Sequence, residues 1–155
     1  MTDLSDLLLP ETVFERLSAA NKKSLFQQLA VSAAGAYGLD AAEIVERLNE
    51  REKLGSTGFG SGVATPHAKI PGLNHVVAVF AKLAQPIDFN AVDDLPVDIA
   101  FMLLSPVDAG AVHLKALARV SRRLRERGFV DKLRGAGSRD ALYALLTADE
   151  ARDAA

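Results

Sequence analysis

The chain has 155 residues, 49% of them apolar and 25% charged, with a formal net charge of -2. That composition fits one ordinary domain burying roughly 68–70% of its unfolded surface, and it argues against disorder over most of the chain. Cysteine is absent, which excludes a disulfide framework, thiolate zinc sites and thiol catalysis, and fits a reducing compartment.

Ile99 to Leu104, an apolar run as long as any in the chain, is the length of a buried strand and far short of the roughly 18 residues a membrane span needs. The first residues carry acids where a secretory leader carries bases. A soluble, cytoplasmic protein without membrane insertion is the expectation. Charge is unevenly spread. Residues 85–112 hold five acids and no Lys or Arg, whereas residues 115–139 hold nine of the eighteen bases and two acids. Such a stretch is either a solvated helix face or a patch that guides a partner. It lacks the interleaved aromatics and motifs of a nucleic-acid binder.

In chain order, Thr12–Leu17 has weak strand-like alternation. Asn21 is a candidate N-cap for a helix reaching Tyr37, with Leu25, Phe26, Leu29, Ala30 and Ala33 on its core face and Gly38 as its stop. Asp40-Ala-Ala-Glu43 has a capping-box spacing and opens a second helix, with Ile44, Val45 and Leu48 inward. From Gly55 to Asn74 the periodicity breaks. Val76–Ala81 is a β-branched run and Val97–Leu104 is apolar on both sides, so the latter is expected to be a central strand. A polar connection from Gln85 lies between them. His113 to about Arg127 is an amphipathic helix, with Leu114, Leu117, Val120 and Leu124 inward, its arginines mostly outward and Gly128 as its stop. Phe129–Leu133 is a short helix, and Ser138 caps a last one through Leu146. Strands separated by helices predict an α/β fold, a mixed β-sheet flanked by helices in a single domain spanning 1–155, with frayed ends at Met1–Thr2 and 148–155.

The segment Arg51-Glu-Lys-Leu-Gly-Ser-Thr-Gly-Phe-Gly-Ser-Gly-Val-Ala-Thr-Pro-His67 is the most informative. Four glycines within eight residues allow positive φ and close backbone approach. They form either a tight turn or an anion-binding nest of amides, with hydroxyls from Ser56, Thr57 and Ser61 and positive charge from Arg51 and Lys53. The Walker pattern is missing its Gly-Lys-Ser/Thr, and Gly58-Phe-Gly60-Ser-Gly62 lacks the dinucleotide spacing. The loop runs into Thr65-Pro66-His67, where proline holds the backbone extended and fixes His67 directly after it. A neutral imidazole at pH 7 is a nucleophile that needs no separate base. Phosphoryl transfer asks mainly for positioning and donors, so a phosphohistidine at His67 needs neither a metal nor another cofactor. His113 can be a surface residue, a cap or a second member of the site. His75 has no evident role, and a metal site of His67, His75 and His113 would lack ligand spacing and a carboxylate.

This segment resembles the active-site signature of the type-2 enzyme IIA domains of the phosphoenolpyruvate-dependent phosphotransferase system, the fructose/mannitol class with its nitrogen-regulatory branch. The resemblance continues through Pro86–Asp98, the following strand, and Ser105-Pro106 to His113-Leu114. It implies that His67 accepts a phosphoryl group from an HPr-like phosphocarrier, with Arg51 and His113 in the site and Ser56 and Thr57 lining the same pocket. Thr65 stands where the family usually has an aliphatic residue, Ser61 where it has Asn, and Ala68 where it has Gly. With no attached IIB or IIC segment, the chain looks like a regulator acting on a transporter or sensor kinase through its phosphorylation state. A module that docks such partners regardless of phosphorylation is the alternative.

Overall fold

The computed structural model describes residues 4–148. The ends expected to fray lie outside them, apart from Ala148. After a 3-10 turn at Pro10–Thr12, strand β1 covers Val13–Leu17, so Thr12 belongs to the turn rather than the strand. Helix α1 spans Lys22–Tyr37, and Asn21 Oδ1 accepts from the Ser24 amide at 2.8 Å, meeting one of the donors that a helix start leaves open. Gly38 ends it in the left-handed region at φ 68°. Helix α2 spans Ala41–Lys53, capped by the Asp40 carboxylate on Ala42 and Glu43. All five apolar positions expected on the α1 core face are buried.

The stretch without periodicity contains three short strands: β2 (Gly58–Gly60), β3 (Val63–Ala64) and β4 (His67–Lys69). Segments of two or three residues are too short to show alternation, so their pairing is a tertiary result. Strand β5 runs Val77–Ile87, through the start of the expected polar connection, and β6 covers Val97–Ser105. The sheet order is β1-β5-β6-β3-β2, with β4 also on β6; β5 and β6 are antiparallel, while β1, β3 and β4 pair in parallel. The mixed sheet flanked by helices is the fold class expected from the sequence.

Strand β6 is central, and its alternate residues feed two cores. Ala100, Met102 and Leu104 join Val79 and Ala81 under α1 and α2. Ile99, Phe101 and Leu103 join Ala78 and Phe80 under the C-terminal helices α3 (Ala111–Leu124), α4 (Arg127–Gly135) and α5 (Arg139–Thr147). Phe80 and Phe101 meet edge to face at 6.3 Å between ring centroids. Each buried phenyl ring contributes roughly 1.5–3 kcal/mol of transfer free energy. On the other face, Phe89 is fully buried against Phe26, pinning the connection between β5 and β6.

Two expectations need correction. Helix α3 keeps Val120 and Leu124 inward as expected, with Leu117 packed against the same core, but its first turn presents another face. Leu114 is 65% exposed, while His113 and Arg123 are buried. The Arg123 guanidinium lies 3.7 Å from the Phe129 ring centroid and pairs with Glu126, which satisfies its charge where a bare arginine would be excluded. Gly128 does not stop this helix. The helix ends at Leu124, and Gly128 lies in the first turn of α4.

Candidate functional site

Strand β4 carries His67 as its first residue, in register with Leu103 of β6. The register is fixed on both sides of the histidine: the Leu103 amide donates to the Pro66 carbonyl at 2.9 Å and the Ile70 amide to the Ser105 carbonyl at 2.8 Å. Thr65 and Pro66 are buried, so the backbone behind the ring is held by the sheet. Strand β6 ends at Ser105 beside β4, and α3 begins a few residues later with His113 in its first turn. Arg51 comes from the last turn of α2.

These three elements converge. Arg51 Nε donates to His67 Nε2 at 3.1 Å. The Nε2 atom therefore holds a lone pair, the ring proton sits on Nδ1, and Nδ1–H donates to the Thr65 carbonyl at 2.8 Å. The His67 and His113 rings lie 5.6 Å apart between centroids. His113 Nδ1 is 2.5 Å from the Ser105 hydroxyl, leaving Nε2 as its remaining polar atom. The cleft around the two rings encloses about 410 Å³ and is also lined by Arg47, Glu50, Leu54 and Lys69. Arg51 spans it, its Nη1 donating to the Gly55 carbonyl at 2.9 Å.

Electrostatics favour a neutral, anion-seeking site. Burial pushes the His67 pKa down and the Arg51 charge adds to that, against an opposing pull from the Thr65 carbonyl and Glu52. The pKa of His113 is lowered too, by burial first and then by His67 and Lys69. Three cationic side chains line the cleft against one carboxylate, Glu50.

Ser56 and Thr57 are not brought to the cleft. Thr57 is buried, and both its amide and its hydroxyl donate to the Glu52 carboxylate, which also accepts from Lys22 at 2.9 Å. The Ser56 hydroxyl accepts from the Gly58 amide. The Ser61 amide is held by Asp93 at 2.9 Å. The glycine-rich segment is thus no open nest: carboxylates and hydroxyls of the protein itself occupy these amides, and the segment's work is to carry the chain to Pro66 and His67. His75 is exposed beside Asn74, and no cluster of three metal-ligating side chains occurs among the described residues. Arg47 was legible in principle, because it lies four residues before Arg51 and shares its helix face. Nothing in the sequence marked Glu52 as the anchor of the segment.

The model of the family described as "Phosphoenolpyruvate-dependent sugar phosphotransferase system, EIIA 2" matches residues 6–149. The chain belongs to this family. A nitrogen regulatory protein from Bradyrhizobium diazoefficiens is 45% identical over 143 residues, covering 92% of this chain and 94% of that protein. Its counterpart in Escherichia coli K12 is 37% identical over 148 residues, 95% and 91% of the two chains. The crystal structure of the nitrogen regulatory protein IIA-Ntr from Neisseria meningitidis superposes with a TM-score of 0.87 at 30% identity, covering 93% of this chain and 99% of that one. Mannitol IIA from Escherichia coli shares the fold at a TM-score of 0.76 and 20% identity. This chain is thus a IIA-type phosphotransferase component akin to the nitrogen-regulatory branch. None of its helices, among the described residues, is long and apolar enough to cross a membrane.

Proposed function

We propose that this IIA protein accepts a phosphoryl group on His67 Nε2 from an HPr-like phosphocarrier in the cytoplasm, and regulates a transporter or sensor kinase by its phosphorylation state. The observation that carries the reading is the Arg51–His67 hydrogen bond, which fixes the tautomer and marks the nucleophilic nitrogen. The Nε2 lone pair forms the new N–P bond as the donor's phosphohistidine N–P bond breaks. The Nδ1 proton stays on the ring, donated in a hydrogen bond to the Thr65 carbonyl, so the His67 ring gives up no proton in the transfer. Arg51 turns from the lone pair to the phosphoryl oxygens, a guanidinium aimed at the charge of a loose transition state. His113, held through its Nδ1 by Ser105, offers Nε2 to the same oxygens. Leu54 is exposed in the cleft lining, and Leu114, the residue after His113, is exposed too, apolar surface suited to a docking partner.

The test is incubation with phosphoenolpyruvate, enzyme I and an HPr-like carrier, read by intact mass and acid lability. The parent chain gains one acid-labile phosphoryl group, and His67→Ala gains none. Equal labelling of His67→Ala overturns the assignment. A regulator further predicts that His67→Ala and the charge-bearing His67→Asp capture a regulated partner unequally; equal capture favours docking that ignores phosphorylation.

A further inference from the structure

A second cleft, of about 420 Å³, opens between the β2–β3 hairpin and the corner joining α3 to α4. It shares no lining residue with the His67 cleft, and its size is in the range small organic ligands occupy. Its floor is apolar, formed by Val63, Leu124 and Val130, and Phe59 stands at its side.

The arginines around it divide into two kinds. Arg134 is committed to the fold: it donates twice to the Asp98 carboxylate, at 2.9 and 2.8 Å, and once to the Ser61 carbonyl at 2.7 Å. Arg125 and Arg127 are exposed, and their guanidiniums make no hydrogen bond or ion pair with any described residue. Arg125 rests over the Phe59 ring at 5.0 Å. Asp131 is the single carboxylate in the lining, so the cleft carries a surplus of positive charge. Glu126 does not cap α4, its carboxylate being taken by Arg123. The first amides of α4 therefore add a partial positive charge to that of Arg127.

We infer that this cleft binds a small organic phosphate bearing a flat aromatic ring. Two guanidinium forks match phosphate oxygens. Phe59 and the Arg125 plane stack on a ring, and the apolar floor receives its edge. A bare anion would leave the floor and Phe59 unused, and an uncharged ring would leave both guanidiniums unmet.

Amide NMR of the full chain titrated with ADP tests this, with adenosine and pyrophosphate as separate arms. ADP shifts amides of residues 59–63 and 124–134, and binds at least tenfold tighter than either fragment, a difference of about 1.4 kcal/mol. Arg125→Ala and Arg127→Ala, both at exposed positions, keep the folded spectrum and each weaken ADP several-fold. His67→Ala binds ADP as the parent does, which separates this site from the phosphoryl-accepting one. The inference is overturned if ADP shifts nothing at millimolar concentration, if pyrophosphate binds as tightly as ADP, if the shifts centre on Arg51, His67 and His113, or if neither arginine variant weakens binding.

Discussion

Arg51 Nε lies 3.1 Å from His67 Nε2 and donates to it. One contact between the end of α2 and the start of β4 therefore sets the tautomer, lowers the basicity of the ring and stores a guanidinium where negative charge would arrive. Replacing Arg51 with Gln leaves the helix intact but removes that charge. Phosphoryl acceptance by His67 is expected to fall by about 10²–10³-fold, the usual loss when one preorganised donor is removed. Lys at the same position does not restore it, because an ammonium cannot reproduce the Nε geometry. Stopped reactions followed by intact mass give the rates, and a loss below about fivefold refutes the role.

Burial of the two imidazoles predicts a pH signature. Both His67 and His113 have pKa values lowered in the folded state, so the unfolded chain binds their protons more readily. Stability is full above the ordinary histidine value, about pH 6.5. It declines as pH falls through that value toward the lowered folded ones. Urea melts between neutral pH and pH 5 show the decline in the parent chain, and a shallower one in the double variant His67→Gln, His113→Gln. A steeper decline in the variant contradicts the shifts.

Glu52 is the hinge post of the glycine-rich segment. Its carboxylate accepts from Thr57 twice and from Lys22, with the side chain 8% exposed. Glu52→Ala leaves a buried amide, a hydroxyl and an ammonium without their acceptor, and is expected to cost about 2–3 kcal/mol. Thr57→Val costs less in that background than alone, because the two residues share one network. Denaturant titration of the four chains of the cycle reads the coupling; additive losses disprove it.

Backbone conformation at the hairpin gives a pair of opposite outcomes. Gly62 has φ 82°, and a Cβ there would meet the Arg134 guanidinium at 2.6 Å and Asp98 at 2.9 Å. Gly62→Ala forces a disfavoured φ and pushes apart the Arg134–Asp98 pair, for a loss of about 2–4 kcal/mol. Ser61 is exposed at φ 59°, a region that Asn tolerates better. Ser61→Asn is expected to stabilise by about 0.5 kcal/mol. Thermal melts compare the two, and stabilisation by Gly62→Ala would contradict the observed packing.

The site was partly legible in advance. Pro66 beside His67 announces a rigid extended backbone, and the sheet shows that backbone pinned to Leu103 and Ser105. The clustered glycines announce unusual conformations, which Gly60 and Gly62 adopt. They did not tell where the amides point, because Glu52 and Asp93, which occupy two of them, are ordinary acids in the sequence. Likewise the face of α3 was misread at its start. Leu114 is more apolar than His113, yet Ser105 and His67 hold the histidine inward and leave the leucine outside.

The sequence by itself determined the helices of the N-terminal half, the two long strands, the mixed α/β class, and the rigid backbone that carries His67. Those follow from caps, periodicity and proline, which act over a few residues. Tertiary structure alone decided that β4 docks on β6, that Arg51 reaches His67, and that His113 turns toward the same ring. Each depends on contacts between residues far apart in the chain, where hydrogen bonding and burial outweigh local preference.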